Sequence, residues 1–271
     1  MDASICITCG TQYPPSPTPP KECPICLDER QFVPVTGQAW TTLPRLARTH
    51  WNTFRYEQEL LGIGTSPAFA IGQRALVVRS EHGNVLWDCI SLIDRAAIDL
   101  IRGLGGLAAI AISHPHYYTT MLEWSRAFAG VPVYLHAADR AWIMREGAEI
   151  VLWEGDRREI APGLTLIRGG GHYEGGTILH SAQGAEGRGA LLSGDILQVT
   201  ADNKHVAFMR SYPNYLPLGA ATVRGIAARL AAFRFATIYG AFWDRVIAAD
   251  GRAVLDRSVA RHIEWVERAE S

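Results

Sequence analysis

The sequence contains almost no lysine and no long run of apolar residues, and both absences exclude classes of function. Of its 26 basic residues only Lys21 and Lys204 are lysines, and the arginines are scattered along the chain. With a net charge of −1 and no basic cluster, the chain has nothing that could neutralise a run of phosphates, so we expect no nucleic-acid partner. The longest apolar run, residues 107–112, is far shorter than the roughly 18 residues of a membrane-spanning helix, so we expect no membrane partner.

The amino terminus also lacks the features of a secretory signal. Its first six residues carry neither a basic start nor an apolar stretch, so we expect a cytoplasmic protein in which disulfides are rare. A chain of 271 residues with 48% apolar and 20% charged residues is long enough for one sizeable core and a small appendage. The composition therefore predicts a globular protein and leaves its oligomeric state open, a homodimer included.

Cysteine is scarce, but four of the five cysteines form a metal-binding pattern. Two Cys-Xaa-Xaa-Cys pairs, Cys6 with Cys9 and Cys23 with Cys26, are separated by thirteen residues. Each pair can form a tight turn that points two thiolates at one centre, as tetrahedral zinc requires. The segment between the pairs is too rich in proline for a helix or a central strand, so a metal must organise this lobe in place of a core. We therefore predict a zinc ribbon over residues 1–35 that holds a structural Zn²⁺.

A redox function is the alternative for this lobe. The two cysteine pairs resemble those of small rubredoxin-like modules, which hold one iron ion and transfer electrons. The second pair departs from that pattern, because Leu27 stands where rubredoxins usually have glycine. The fifth cysteine, Cys89, follows the apolar residues 85–87 and is interpreted as a small buried hydrophobic residue.

The rest of the chain is predicted to form a linker and one larger α/β domain. We assign residues 36–64 to a linker followed by a helix, which the pattern places at 43–60, and residues 65–271 to the large domain. The domain begins with an antiparallel meander, after which helices and strands alternate as in α/β folds. The predicted strands are 69–71, 75–78, 85–88, 107–112, 131–135, 164–168, 177–180, 190–193 and 236–239, and the predicted helices are 94–104, 120–128, 138–145, 220–233 and 252–269.

Four candidate metal ligands follow the ends of three of these strands. His114 and His116 come directly after the most apolar strand, and Pro115 biases His114 toward extended geometry, so both imidazoles can face one metal ion. His172 follows three glycines at the end of a second strand, and Asp195 follows a Ser-Gly pair at the end of a third. Such a set of nitrogen and oxygen donors suits zinc.

In order and spacing these residues resemble the metallo-β-lactamase superfamily. In that superfamily a His-Xaa-His-Xaa-Asp-His motif follows a buried strand, a Gly-His turn comes later, and a Gly-Asp pair follows it. The resemblance covers roughly residues 65–245. It implies an α/β fold, the αββα metallo-β-lactamase sandwich, with its metal site at the shared edge of two sheets and the four-cysteine zinc ribbon as a small amino-terminal appendage.

The sequence departs from the superfamily motif at the ligands of the second metal ion. Tyr118 stands in place of the motif's aspartate and Thr119 in place of its last histidine. The family's final histidine is expected in the segment 240–244, which contains none. The resemblance therefore implies a mononuclear site of His114, His116, His172 and Asp195. We expect such a site to hold Zn²⁺ or, because two histidines and a carboxylate also form the facial triad of non-haem iron, Fe²⁺.

The resemblance implies a metal-dependent hydrolase of a small ester, lactone or thioester. Without the motif's aspartate, Asp195 is the candidate for a substitute base, and Tyr118 for a hydrogen-bond donor to a developing oxyanion. Candidate substrate-binding residues in loops beside the metal-bearing strand ends are Tyr173, Arg210 and Trp243. Two alternatives stay open. One is a mononuclear iron oxidoreductase that resembles the superfamily's persulfide dioxygenases, with the ribbon as electron carrier, and the other is a non-catalytic metal-binding protein.

Overall fold

The structure, a computed structural model, describes residues 2–268. The chain divides into two compact units, the first ending at Trp153 and the second beginning at Glu154. The predicted domain boundaries at residues 35 and 64 both lie within the first unit, and they stay predictions. None of the helices within residues 2–268 is long and apolar enough to cross a membrane.

The first unit contains a small sheet and a larger mixed sheet. Its strands are β1 (Ala3–Cys6), β2 (Gln12–Pro15), β3 (Trp40–Thr41), β4 (Trp51–Glu57), β5 (Leu60–Ser66), β6 (Ala75–Val78), β7 (Val85–Trp87), β8 (Ala109–Ala111), β9 (Val133–His136) and β10 (Ile150–Trp153). Its helices are α1 (Pro24–Leu27), α2 (Leu43–Leu46), α3 (Arg95–Gly103) and α4 (Met121–Ala127), with 3₁₀ helices at Pro115–Tyr117 and Ala137–Trp142. The small sheet has the order β2-β1-β3, and the other seven strands have the order β10-β9-β8-β7-β6-β5-β4.

Strand direction in the larger sheet changes at β7. Pairing is antiparallel from β4 to β7, of which the predicted meander contained β6 and β7, and parallel from β7 to β10. Parallel neighbours need crossover connections, and α3 and α4 supply two of them. The first crossover begins where Asp94 caps α3 by accepting a hydrogen bond from the backbone N–H of Ala97.

The second unit is built around a six-stranded sheet. Its strands are β11 (Arg157–Ala161), β12 (Leu164–Arg168), β13 (Thr177–Ser181), β14 (Ala190–Gly194), β15 (Gln198–Val199), β16 (Val206–Ala207), β17 (Met209–Ser211), β18 (Leu216–Pro217), β19 (Thr237–Gly240) and β20 (Val246–Ile247), and its helices are α5 (Gly184–Gly187), α6 (Ala220–Leu230) and α7 (Gly251–Glu267). The sheet order is β11-β12-β13-β14-β19-β20, with β15-β16 and β17-β18 as separate hairpins. Apolar residues of the sheet and of both long helices form one buried core.

Most predicted elements are confirmed with shifts of a few residues, but two predictions are wrong. The predicted helix at 43–60 ends after the four residues of α2, and β4 follows it. Aromatic and β-branched residues dominate β4, which pairs along its length with β5, so sheet pairing overrides the helix-like charge pattern. The predicted strand at 69–71 is irregular, because Phe69 is buried in a cluster with Ile5, Leu46 and Leu92 instead of pairing in a sheet.

Three smaller differences concern element type and extent. The predicted helix at 138–145 is the 3₁₀ helix Ala137–Trp142. Several strands were not predicted, although β10 extends the parallel part of its sheet beside β9. They are β5, β10, β11, β20 and the short strands β1–β3 and β15–β18. Helix α7 is confirmed to Glu267, and the predicted end at Ala269 lies outside the described residues.

A buried ion pair connects two strands of the larger sheet. Arg74, just before β6, pairs with Glu57 at the end of β4, and the two side chains are 1% and 6% exposed. We expect Arg74→Ala to lower the free energy of unfolding by about 3 kcal/mol, because the buried Glu57 carboxylate then keeps only the half-exposed Arg55, 3.5 Å away, as its counter-charge. Urea denaturation measures this effect.

The exposed ion pair of Arg95 and Asp99 provides the matched control. These side chains are 81% and 52% exposed, so Arg95→Ala should change the free energy of unfolding by less than about 1 kcal/mol. Equal effects of Arg74→Ala and Arg95→Ala would contradict the structural role of the buried pair.

Candidate metal centres

The four amino-terminal cysteines lie at the spacing that a tetrahedral metal requires. Their sulfur atoms all lie within 4.8 Å of one another, and all four residues are buried. The Sγ atoms of Cys6 and Cys26 are 3.6 Å apart, and those of Cys9 and Cys23 are 3.7 Å apart. A zinc–sulfur bond of about 2.3 Å gives a tetrahedral edge of about 3.8 Å, so the sulfur positions fit zinc.

Local backbone geometry places each cysteine pair. In the first pair the N–H of Gly10 donates to the carbonyl of Cys6, and Gly10 has a φ of +84°, which closes the turn without a Cβ penalty. In the second pair the carbonyl of Cys23 accepts from the N–H groups of Cys26 and Leu27, and Pro24 begins α1. The predicted four-cysteine appendage is therefore present as a compact cluster.

Hydrogen bonds among the four thiols shift their pKa values in opposite directions. Side-chain hydrogen bonds from Cys23 and then Cys26 lower the pKa of Cys6, whereas hydrogen bonds from Cys23 raise the pKa of Cys9 and Cys26. Four sulfurs at this spacing cannot all be thiolates unless a positive charge lies among them. A divalent metal provides that charge.

Two polar side chains donate hydrogen bonds to the sulfur atoms. The hydroxyl of Tyr13 donates to the Sγ of Cys23, and the amide of Gln38 donates to the Sγ of Cys6, both over 3.1 Å. The ring of Tyr13 packs edge-to-face on Trp40 with centroids 5.0 Å apart. These donors withdraw charge from the thiolates and make them less reactive.

We expect Tyr13→Phe to release the cluster metal about tenfold faster to a chelator, because it removes one hydrogen bond to a charged sulfur and keeps the ring on Trp40. Stopped-flow measurement with a colorimetric chelator tests this. Tyr56→Phe is the control, since Tyr56 is 63% exposed. Equal release rates in both variants would show that the hydroxyl does not stabilise the centre.

In the first unit, the chain after β8 presents His114 and His116. His114 is extended, with φ −169° and ψ 171°, as the following proline predicts, and the 3₁₀ helix Pro115–Tyr117 begins after it. The two imidazole centroids are 5.0 Å apart and both rings are buried. Nδ1 of His114 lies 2.9 Å from the hydroxyl of Ser113. The backbone N–H of Ser113 donates a hydrogen bond to the carboxylate of Asp88 over 2.7 Å. These contacts orient the first imidazole.

In the second unit, glycine turns carry His172 and Asp195. His172 follows Gly171, which has a φ of +79° and where a Cβ would lie 2.7 Å from Leu218, so the turn requires glycine. Nδ1 of His172 lies 3.1 Å from the carbonyl oxygen of Met209. A hydrogen bond donated to that carbonyl leaves the lone pair on Nε2, the arrangement typical of metal-binding histidines.

Asp195 follows β14 and has its own support in the second unit. The hydroxyl of Tyr212 donates to the backbone carbonyl of Asp195 over 2.9 Å. Burial, together with the negative charge of Asp195, raises the pKa of Tyr212, so this tyrosine stays a neutral donor. Asp195 itself is 4% exposed.

The structure brings together all four predicted ligands. The ligand atoms of His114, His116, His172 and Asp195 lie within 4.8 Å of one another, and all four residues are buried. Three imidazole nitrogens and one carboxylate are a donor set that fits Zn²⁺ or Fe²⁺. Within residues 2–268, this group and the four cysteines are the clusters of histidine, cysteine and acidic residues able to hold a metal ion.

Tyr118 and Thr119, which replace ligands of the superfamily motif, are packed inside the first unit. Both are 3% exposed. With Thr11 and Gln12 they line a cavity of about 10 Å³, room for at most one water molecule. The carbonyl of Thr119 accepts a hydrogen bond from the N–H of Gln12 over 3.0 Å, and Thr119 has a φ of +35°. The backbone of this half of the motif therefore contacts the amino-terminal lobe, and the role of the Tyr118 hydroxyl stays a prediction.

The other predicted residues occupy different environments. Tyr173 is fully buried, and its ring packs edge-to-face on His172 with centroids 5.2 Å apart. Arg210 lies half-buried in β17, and Trp243 lies half-buried in the loop after β19. Their role in substrate binding stays a prediction. Cys89 is fully buried, and burial raises its pKa, which confirms its interpretation as a small hydrophobic residue.

Sequence reasoning missed the residues that support the two centres. Gln38, Gln73 and Asp88 each bond a group at least 20 residues away along the chain. No local motif marks a glutamine or aspartate for such a contact. Tyr13 had a weak local signal, as an aromatic residue in a proline-rich segment between the two cysteine pairs.

Comparison with known proteins assigns the chain to a family. No model of a known protein family matches it. The uncharacterized protein YmaE of Bacillus subtilis (strain 168) is 44% identical over 267 residues, which cover 97% of each chain. The metallo-β-lactamase DIM-1 is 12% identical with a TM-score of 0.57, covering 78% of this chain and 96% of its own. The mono-zinc form of the metallo-β-lactamase FIM-1 from Pseudomonas aeruginosa is 13% identical with a TM-score of 0.56, covering 80% and 97%. The chain therefore belongs to the family of YmaE and has the metallo-β-lactamase fold, with an amino-terminal four-cysteine cluster and a His/Asp metal-site group.

Proposed function

We propose that this protein is a hydrolase of a small ester, lactone or thioester that works with one zinc ion, while the four-cysteine centre holds a structural zinc ion. The observation that carries the proposal is the buried group of His114, His116, His172 and Asp195, with ligand atoms within 4.8 Å of one another. The mono-zinc form of FIM-1 supports it, because that protein has a similar fold.

The chain's own residues would orient the reaction. A zinc ion in this group would supply Lewis acidity, which polarises a carbonyl and lowers the pKa of water to about 7. Asp195 is the candidate for taking a proton from water, and Tyr118 is the candidate for donating a hydrogen bond to the developing oxyanion. The contacts of Ser113 with His114 and of Met209 with His172 hold the rings in place.

Three residues are proposed to contact the substrate. Arg210 offers a planar guanidinium that suits a carboxylate or phosphate group. Trp243 and Tyr173 offer aromatic surface, although Tyr173 is fully buried and its ring already packs on His172. We therefore expect Arg210→Ala to raise KM more than it lowers kcat, and Tyr173→Leu to alter metal binding as well.

A substrate panel tests the hydrolase proposal. Zinc-loaded protein would be assayed with nitrophenyl esters, lactones and thioesters, beside Asp195→Asn and Tyr118→Phe variants. We expect turnover of at least one class, and a loss of about 100-fold in kcat in each variant if both act in the chemical step. A wild-type protein that binds two zinc ions and hydrolyses none of the panel would contradict the proposal and favour a non-catalytic metal-binding protein.

One observation favours iron redox chemistry as the second candidate. Tyr13 and Gln38 donate hydrogen bonds to the cysteine sulfurs, and such bonds also tune the potentials of iron–sulfur centres. In this case the His/Asp group would hold Fe²⁺ and the cysteine centre would carry electrons. Iron content and visible absorbance after expression with both metals supplied distinguish the candidates. Protein with zinc at both sites and no colour would exclude the redox function.

A further inference from the structure

One glutamine connects the four-cysteine lobe to the chain that carries His114 and His116. The amide nitrogen of Gln73 donates to the carbonyl of Cys9 over 2.7 Å and to the carbonyl of His116 over 3.0 Å. A carboxamide has two N–H donors, so both bonds can form at once. Gln73 is 5% exposed, and buried carbonyl groups need such donors. A ligand residue of each centre is therefore held by the same side chain.

Two further contacts join the same segments. The N–H of Gln12 donates to the carbonyl of Thr119 over 3.0 Å, three residues after His116. The hydroxyl of Ser91 donates to the carbonyl of Gly10 over 2.9 Å, directly after Cys9. The first turn of the lobe, residues 9–12, thus contacts the metal-bearing chain and its neighbours at three backbone positions.

The side chain of Gln12 also binds two charged residues of the first unit, Glu123 and Arg145. Its amide nitrogen donates to Glu123 over 3.4 Å, and its amide oxygen accepts from Arg145. Arg145 also pairs with Glu123 over 2.6 Å. The side chains of Arg145 and Glu123 are 12% and 29% exposed, so their contacts with Gln12 are partly shielded from solvent. Residues 9–12 are consequently fixed by the α4 region as well as by Gln73.

The segment 114–119 has little regular structure of its own to hold it. It contains a single 3₁₀ turn and ends in the left-handed conformation of Thr119, which is unfavourable for a threonine. Its order therefore depends on outside donors, and the cysteine lobe and Gln73 provide them. The order of that lobe depends in turn on its metal, since it has only a small apolar core.

We propose that Gln73 is a positioning residue through which the four-cysteine centre orders the His114–His116 segment, so that metal binding at the two centres is thermodynamically coupled. This inference rests on the proposed His/Asp metal site but not on the proposed hydrolysis. By linkage, metal at the cysteine centre raises the affinity of the His/Asp group, and the reverse also holds.

Zinc affinity of the His/Asp group, measured by competition with a chelator, tests the coupling without an activity assay. We expect Gln73→Met to weaken zinc binding there about tenfold while the cysteine centre keeps its zinc. We expect Cys9→Ser, which disrupts the cysteine centre, to weaken it at least as much. Ser91→Ala removes the hydrogen bond to the carbonyl of Gly10, and we expect it to weaken zinc binding at the His/Asp group about threefold. This variant tests the coupling if Gln73→Met does not fold.

Asn84→Leu is the matched control. Asn84 is 5% exposed and donates to the carbonyls of Leu104 and Gly106, so the variant also removes two amide-to-carbonyl bonds in the first unit. We expect it to lower stability and leave both zinc affinities unchanged. Wild-type affinity of the His/Asp group in Gln73→Met and Cys9→Ser would overturn the coupling. A wild-type protein that binds zinc only at the cysteine centre would instead overturn the proposed site itself, and the coupling with it.

Discussion

Replacing His114 by alanine should remove one of two metal ions and abolish hydrolysis. His114 is 1% exposed and one of four grouped ligands, so the variant leaves three donors around a buried space. Loss of supporting contacts alone costs about 10–100-fold in metal affinity, so loss of a ligand should cost more than about 100-fold. Elemental analysis after dialysis should show one metal ion per chain, and the rate on any identified substrate should fall by a similar factor or more.

An exposed histidine provides the control for this experiment. His82→Ala changes a residue on the turn before β7 that is exposed and outside both clusters, so we expect two metal ions and full activity. If His114→Ala still bound two metal ions, the assignment of this residue as a ligand would be wrong. If it lost the metal but kept full activity, the metal site would not be the catalytic site.

Replacing Cys9 by serine should unfold the amino-terminal lobe. The apolar residues that pack around the four sulfurs are few, chiefly Tyr13 and Ile25, with Trp40 partly buried beside them. Structural zinc contributes about 10–16 kcal/mol in isolated zinc fingers, and a core of this size cannot replace that contribution. We expect loss of one metal ion, rapid proteolysis within residues 10–22 and a clear fall in Tm.

Cys89→Ser is the control for a general effect of cysteine replacement. Cys89 is as deeply buried as Cys9 but lies outside the metal cluster. Its replacement should cost about 1–3 kcal/mol from burying a hydroxyl and leave the metal content unchanged. A Cys9→Ser variant that resisted proteolysis as well as the wild type would show that the lobe folds without its metal.

Both groups of candidate ligands were predictable from the sequence because local rules govern their placement. The Cys-Xaa-Xaa-Cys pairs form tight turns whatever the rest of the chain does, and the bond before Pro115 favours the extended backbone observed at His114. The glycines before His172 and Asp195 mark turns after strands, with positive φ at Gly171 and Gly194. Residue type and spacing therefore carried the information about both donor sets.

The wrong predictions arose where pairing partners lie far apart in the chain. Residues 51–57 contain charged and aromatic side chains at spacings that also suit a helix, and pairing with β5 made them a strand. Phe69 was placed in a strand by its apolar neighbours, whereas burial against Ile5 and Leu92 left it in an irregular segment. Hydrophobic pattern alone does not decide between such outcomes.

The sequence by itself determined the candidate metal-ligating residue types, their positions after predicted strands and the absence of histidine and aspartate at positions 118 and 119. Only the tertiary structure decided that Gln73 holds both Cys9 and His116, and that Thr119 accepts a hydrogen bond from the cysteine lobe. The physical reason is the distance along the chain between the interacting groups. A turn or a strand end depends on neighbouring residues, whereas a buried hydrogen bond between groups 43 or more residues apart exists only after the chain has folded around it.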